Sequence, residues 1–336
     1  MIIPAERLER WVAKIFSAEG LSEEHAQTVA KVLVFANLRG MDTHGVLRVP
    51  SYVRFIRAGD LNPHPAMATR NETPACVLLE ADRAAGPVAM QKAMELAIDK
   101  ARQAGAGVCL VRATTHTGAL GYYTHMAAER GMAAIAFSSS HANMAYHGAR
   151  AAGVSTAPLA LAVPGEEGPI ALDMASSIMS MGKLRQAKRT GTPLEEGQAL
   201  DKNGNPTTEA EEAAILLPLG GAKGSGLSLL IECMTSLVTA NPLLAEALER
   251  TALAARHRQN GAVIALDLAR FVDLGEFRRQ AGRLARAIKA LPPQPGLEIL
   301  LPGERGARAA EQRRRDGIPV ADAVLEELRH LMEEPA

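Results

Sequence analysis

Aromatic side chains are scarce in this chain: 1 Trp, 4 Tyr and 6 Phe make up 3% of its 336 residues. That argues against a single-strand nucleic-acid platform or a cation cage, which need exposed rings, and leaves the core to Ala, Leu, Val, Ile and Met. No sign of charge dominates, since 37 basic side chains meet 37 acidic ones. A nucleic-acid or anionic-membrane partner therefore has no electrostatic basis. Cys76, Cys109 and Cys233 are odd in number, far apart and set in apolar runs. They read as three reduced thiols rather than a disulfide framework or a cysteine metal site. No apolar run approaches the roughly 18 residues of a membrane span, and Met1-Ile2-Ile3-Pro4 lacks the segments of a signal peptide. A soluble, cytoplasmic protein without a bound metal is expected.

Several fingerprints are missing too. Gly105-Ala106-Gly107 has Leu110 in the last glycine slot of the dinucleotide motif and lies between a helix and the next strand, the reverse of the required order. Gly224-Ser225-Gly226 has Leu229 in that slot, so a Rossmann site is unsupported. Gly182-Lys183 is followed by Leu184 where a phosphate loop needs Ser or Thr. There is no His-Glu-x-x-His and no Gly-x-Ser-x-Gly, and the nine histidines do not cluster at ligand spacing.

What is present is a globular composition, 47% apolar and 22% charged, in a length of about two structural units. Helical periodicity governs the first 60 residues, with Gly20 and Gly40 as stops and Ser22 as a cap. From about residue 75, short strands (76–80, 108–112, 133–137, 159–163, 170–172, 262–266, 298–301) alternate with helices (86–104, 121–131, 177–188, 227–237). Residues 164–168 read as a hairpin turn and 216–226 as a glycine-rich loop. The end is helical, with Arg313-Arg314-Arg315 read as a solvated last turn. This is an α/β chain with helical ends and no marked linker. The expected division is interleaved: 1–72 with 305–336 as a helical substrate and dimerisation part, and 73–304 as an α/β cofactor part.

Four polar constellations punctuate the apolar segments. In Asp42-Thr43-His44-Gly45-Val46-Leu47-Arg48, the histidine reads as a helix cap or as a proton donor beside a carboxylate that Arg48 would hold bidentately. His116, in Thr114-Thr115-His116-Thr117-Gly118, follows a strand end, where open α/β sheets place ligands. In Asp173-Met174-Ala175-Ser176-Ser177 a serine could cap a helix, or the free amides could receive phosphate or ribose oxygens. Finally, Gly220-Gly221-Ala222-Lys223-Gly224-Ser225-Gly226 combines backbone freedom with a fixed cation, suiting an anionic cofactor.

In this order the segments resemble the malate/L-lactate dehydrogenase family, which is unrelated to the Rossmann enzymes. The resemblance also takes in Gly121-Tyr122-Tyr123, Gly197 with Leu200-Asp201, Leu301-Pro302-Gly303-Glu304, and Arg314 with Gly317-Ile318. It implies that family's own non-Rossmann NAD(P)-binding fold, a homodimer, NAD or NADP as cofactor, and a small 2-oxo or 2-hydroxy acid as substrate. It assigns proton transfer to His44, to His116 or to both. It gives Asp173 to Ser177 (Asp173, Met174, Ala175, Ser176, Ser177), Ala222, Lys223, Gly303, Glu304 and Arg305 to the nucleotide, with Ser140 beside them. In the branch that reduces cyclic 2-imino acids, Thr43, His44 and Asp173 are expected to act together, and Tyr146-His147-Gly148-Ala149-Arg150 is similar to that branch. A member that has lost turnover is the third alternative. Thr117, Gln198 and Ala222 stand where relatives often carry rings, which implies a more open or more polar pocket.

Overall fold

The computed structural model describes residues 1–250 and 259–333. The chain opens with β1 (Ile2–Ile3), α1 (Ala5–Ala18), α2 (Glu23–Leu38) and α3 (Val49–Arg57). Next come β2 (Ala68–Arg70), β3 (Cys76–Glu80), α4 (Gly86–Ala104), β4 (Ala106–Thr114), α5 (Gly121–Glu129) and β5 (Met132–Ser139). The middle carries β6 (Met144–Ala145), β7 (Ala152–Val154), β8 (Leu159–Val163), β9 (Ile170–Met174), α6 (Met181–Thr190), β10 (Ala199–Leu200), β11 (Pro206–Thr207) and β12 (Ile215–Leu216). The last third holds α7 (Ala222–Glu232), continued by a π turn (Cys233–Leu237), then α8 (Leu244–Leu248) and β13 (Gln259–Asp267). It ends with α9 (Leu274–Lys289), α10 (Glu304–Asp316), β14 (Ile318–Pro319) and α11 (Asp322–Glu333).

Seven strands form one sheet in the order β2-β3-β4-β13-β5-β8-β9. Only β3 and β4 run parallel; the other neighbours are antiparallel. The scarcity of rings has a direct packing consequence here. α4 lays Ala89, Ala93, Ala97 and Ala101 on the sheet, all fully buried, and approaches so closely that a Cβ on Gly107 would run into the Ala97 carbonyl. A second sheet, β11-β10-β12-β6-β7, has its own small core around Met144, Leu184 and Leu216. The N-terminal helices share a third core with Ile318, Val324, Leu325 and Leu328, while β1 pairs with β14.

Most expected elements are present, with four corrections. The helix expected from 177 starts at Met181, because Ser180, not Ser176 or Ser177, accepts the capping bond, from the Lys183 amide at 3.2 Å. Ser177 instead bridges to Pro218. The glycine-rich stretch is less of a loop than expected: Gly220 and Gly221 take φ of 61° and 62°, and the helix then includes Gly224, where a side chain would strike the Ser176 carbonyl. Residues 298–301 form no strand, since their one neighbouring strand link is Ala171 N–H to the Pro302 carbonyl, and Glu304 takes the Leu301 amide. The Arg313 side chain is not solvated, because it is drawn onto Asp42.

Candidate active site

The 42–48 turn is locked from beneath by an asparagine that the sequence reading passed over. Asn37, buried in the last turn of α2, accepts from the Val46 amide at 2.8 Å and donates to Asp42 Oδ1 at 2.7 Å. Gly45 lies against that amide, with no room for a Cβ. Arg313 of α10 donates to both Asp42 oxygens, at 2.7 and 3.2 Å, and to the Asn37 carbonyl. An amide directly after the apolar run 32–36 was the available signal, since such a group, once buried, must be hydrogen-bonded to something. Within the turn, Arg48 Nε donates to the Thr43 carbonyl at 2.8 Å. Thr43 rests on Gly182 of α6, where any side chain would collide with it.

The second histidine is held just as firmly. Ala113, at φ 56°, bends the chain near the end of β4, and its amide donates to Asn260 Oδ1 at 3.0 Å. The Thr114 and Thr115 hydroxyls both donate to the Ala84 carbonyl, and Gly86 lies flat on the His116 carbonyl. His116 Nδ1 receives the Gly118 amide at 3.3 Å and sits 2.8 Å from the buried Tyr52 hydroxyl, which also reaches the His116 carbonyl at 2.9 Å. A backbone N–H can only donate, so this network assigns the ring proton to Nε2.

These supports bring the two imidazoles face to face. The His44 and His116 rings are 5.9 Å apart and inclined by 27°, and Thr43 Oγ1 lies 3.1 Å from His44 Nδ1. Burial first, and then the Arg48 charge, lowers the His44 pKa to about 4, so the ring is neutral at neutral pH. Arg48 is itself pushed down, by burial and by the Arg185 guanidinium of α6. Burial pushes the Tyr52 phenol up, so it stays a neutral hydrogen-bonding group.

The residues expected around a nucleotide lie along the edge of β9. At one end, Ala171 bonds Pro302, and Arg39 donates to the Gly303 carbonyl at 3.0 Å. At the other end, the Ser176 carbonyl accepts from Leu219 at 2.9 Å, which brings the strand end to the start of α7. Met174 and Ala175 are partly exposed between these points, Ala222 and Lys223 are exposed at the α7 start, and Ser140 is half-buried after β5. Two residues stand apart from the expected pattern. The Glu304 carboxylate is engaged by Lys289 and Arg308, each at 2.5 Å, and by the Leu301 amide, and Lys289 leads in drawing it down to about 2. Arg305 is exposed. Asp173 accepts from the Gly121 amide at 2.7 Å, and burial raises it to about 6 against the pull of that amide and of Arg39. It makes no hydrogen bond to Thr43 or His44 among the described residues.

The three positions without rings differ in exposure. Thr117 is 3% exposed, and the Gln198 amide donates to Glu195 at 3.1 Å. Ala222 is exposed at the start of α7.

The chain matches known proteins over nearly its whole length. The profile of the malate/L-lactate dehydrogenase family matches residues 3–329. A malate dehydrogenase of Pyrococcus horikoshii is 35% identical, covering 98% of this chain and 94% of that protein. A Δ1-pyrroline-2-carboxylate/Δ1-piperideine-2-carboxylate reductase of Pseudomonas putida is 30% identical, over 98% and 96%. The solved structure of the P. horikoshii malate dehydrogenase superposes with a TM-score of 0.90, at 33% identity, over 98% of this chain and 94% of the other. The chain therefore belongs to the malate/L-lactate dehydrogenase family of oxidoreductases.

Proposed function

We propose that the protein is a nicotinamide-dependent oxidoreductase interconverting small 2-oxo and 2-hydroxy acids. The stacked His44 and His116, with Arg48 one turn away, carry this reading. Arg48 spends its Nε on Thr43 and leaves its two Nη groups to hold a carboxylate as a planar fork. His44, neutral as it stands, accepts the hydroxyl proton when the hydroxy acid is oxidised and returns it when the oxo acid is reduced. His116 stands behind it with Nε2 protonated and Nδ1 fixed by Tyr52 and Gly118. Bound nicotinamide supplies or takes the hydride.

The residues at the β9 edge fit such a cofactor. The Ser176 hydroxyl is buried and has no partner among the described residues, although buried polar groups are almost always bonded, so a ligand oxygen would complete it. Lys223 stands exposed after two glycines in the left-handed region, a cation without an ion-pair partner among the described residues and available to an anionic group. Asp173, Met174, Ala175 and Ser177 would line the same edge, with Ser140, Ala222, Gly303 and Arg305 at its margins. Glu304 serves better as the anchor of α10.

Reduction of a cyclic 2-imino acid is the second reading, favoured by the P. putida relative. Arg150 of the Tyr146–Arg150 motif does not add to it, since that side chain is tied to Gly204 and Asn205. A homodimer is supported by Leu230, Met234, Leu237 and Val238, which lie 51–60% exposed along α7 and the π turn. Three free thiols fit a reducing cytoplasm. The test is loss of 340 nm absorbance from NADH or NADPH with pyruvate, oxaloacetate or a cyclic imine. Silence across the panel, with no thermal shift from either cofactor, overturns the reading and leaves a non-catalytic family member.

A further inference from the structure

The strand that leads to His116 carries a strained residue near its end. In the ladder between β4 and β13, Gln259 pairs with Thr114 and Gly261 with Val111, so Arg112 and Ala113 together face Asn260. Two residues against one make a β-bulge, a device that re-aims the chain beyond it. Ala113 takes φ 56°, a left-handed conformation that glycine adopts freely and alanine does not. Its carbonyl accepts from the Arg83 amide at 2.7 Å, and its own amide donates to Asn260 Oδ1 at 3.0 Å.

Asn260 is fully buried, and its side chain uses all of its hydrogen-bonding capacity. Oδ1 also accepts from Asn241 Nδ2 at 2.8 Å, while Nδ2 donates to Ser236 Oγ and to the Asn241 carbonyl, both at 2.9 Å. The Ser236 hydroxyl donates to Glu232 Oε2 at 2.7 Å, and the other oxygen of that buried carboxylate accepts from the Leu243 and Leu244 amides. So α7 and its π turn hold the amide in one orientation, and that orientation presents Oδ1 to the bulge.

We infer that Asn260 is a positioning residue for the proposed reaction: through the Ala113 amide it holds the bulge that sets His116 against His44. The inference rests on the proposed role of the histidine pair and deepens it. Asn260 acts through the backbone, so its loss should move the His116 ring without removing a group that reacts.

Asn260→Ala, Ala113→Val and the double variant Asn260→Ala,Ala113→Gly test this in the full chain, with a 2-oxo acid that the wild type reduces. Asn260→Ala is expected to lower kcat by about 10–100-fold while KM changes by less than about twofold. Ala113→Val keeps the buried amide but opposes the left-handed turn, and should lower kcat in the same way. Glycine takes that turn unaided, so the double variant should regain about threefold in kcat over Asn260→Ala. A second readout needs no turnover: heteronuclear NMR of the His116 ring nitrogens, assigned by their loss in His116→Asn. The wild type should show the Nε2-protonated form, and Asn260→Ala a mixture of both tautomers, because Tyr52 and the Gly118 amide lose their hold on Nδ1. An Asn260→Ala variant with wild-type kcat and tautomer overturns the inference, as does a lowered kcat that Ala113→Gly leaves unrestored. If Asn260→Ala does not fold, Ala113→Val decides, and wild-type kcat and tautomer there overturn the inference. Silence of the wild type with every 2-oxo acid overturns the underlying function, and the His116 tautomer then tests the positioning alone.

Discussion

His44 is the residue whose chemistry is most altered by its surroundings. Its ring is desolvated and lies near Arg48, so the neutral form persists to about pH 4. The sign follows directly: the base form exists above that pKa, so acidification from pH 8 to 5 leaves it ready to accept a proton. The acid limb of kcat/KM for 2-hydroxy acid oxidation assigned to His44, and absent in His44→Asn, should therefore fall below pH 5, and a limb at the ordinary histidine value near 6.5 would contradict this. His44, His116 and Arg48 were legible in the sequence because imidazole and guanidinium in short turns stand out from apolar flanks. Tyr52 was not, since its partner lies 64 positions away and nothing local marks it.

At the level of elements, sequence patterning located β3, α4 and β8 to the residue, because glycines, prolines and alternation mark their ends. It misplaced elements where the deciding contact was distant. Strand 298–301 looked apolar enough but lacks a ladder partner, and the start of α6 moved to Met181, capped by Ser180, because Ser177 is drawn to Pro218. The 42–48 turn shows the same dependence, being fixed by α2 and α10 rather than by its own residues. Asn37→Ala leaves the Val46 amide unbonded and removes a donor from Asp42. The expected loss is about 1–3 kcal/mol in chemical denaturation, accompanied by a fall in kcat that exceeds any rise in KM. Unchanged stability and unchanged kcat would show that the turn holds itself.

Across the whole molecule, the few rings are not spread evenly. Phe16, Phe35, Tyr52, Phe55, Tyr122 and Tyr123 pack in edge, tilted or stacked pairs around α1, α2, α3 and α5, beside His116. The scarcity is thus a feature of the sheet, whose alanine-faced helix needs small residues, while the region beside His116 keeps its aromatics. The proposed interleaved division draws support from the helical core that joins residues 3–88 to 318–332, although the small sheet around Leu216 is a third centre that it does not separate. The apolar strip along α7 predicts a dimer by light scattering, and Leu230→Glu with Met234→Glu should shift it to monomer; a wild type that is already monomeric at micromolar concentration would refute the homodimer.

The central claim is hydride transfer between nicotinamide and a small 2-oxo acid at the His44–His116 pair. Its most direct test is the oxidation of NADH and NADPH at 340 nm over the acid panel, in the wild type and in His44→Asn,His116→Asn. Measurable turnover of at least one 2-oxo acid is predicted, falling by about 10²–10⁴-fold in the double variant. A double variant as active as the wild type, with its fold intact by circular dichroism, would contradict it.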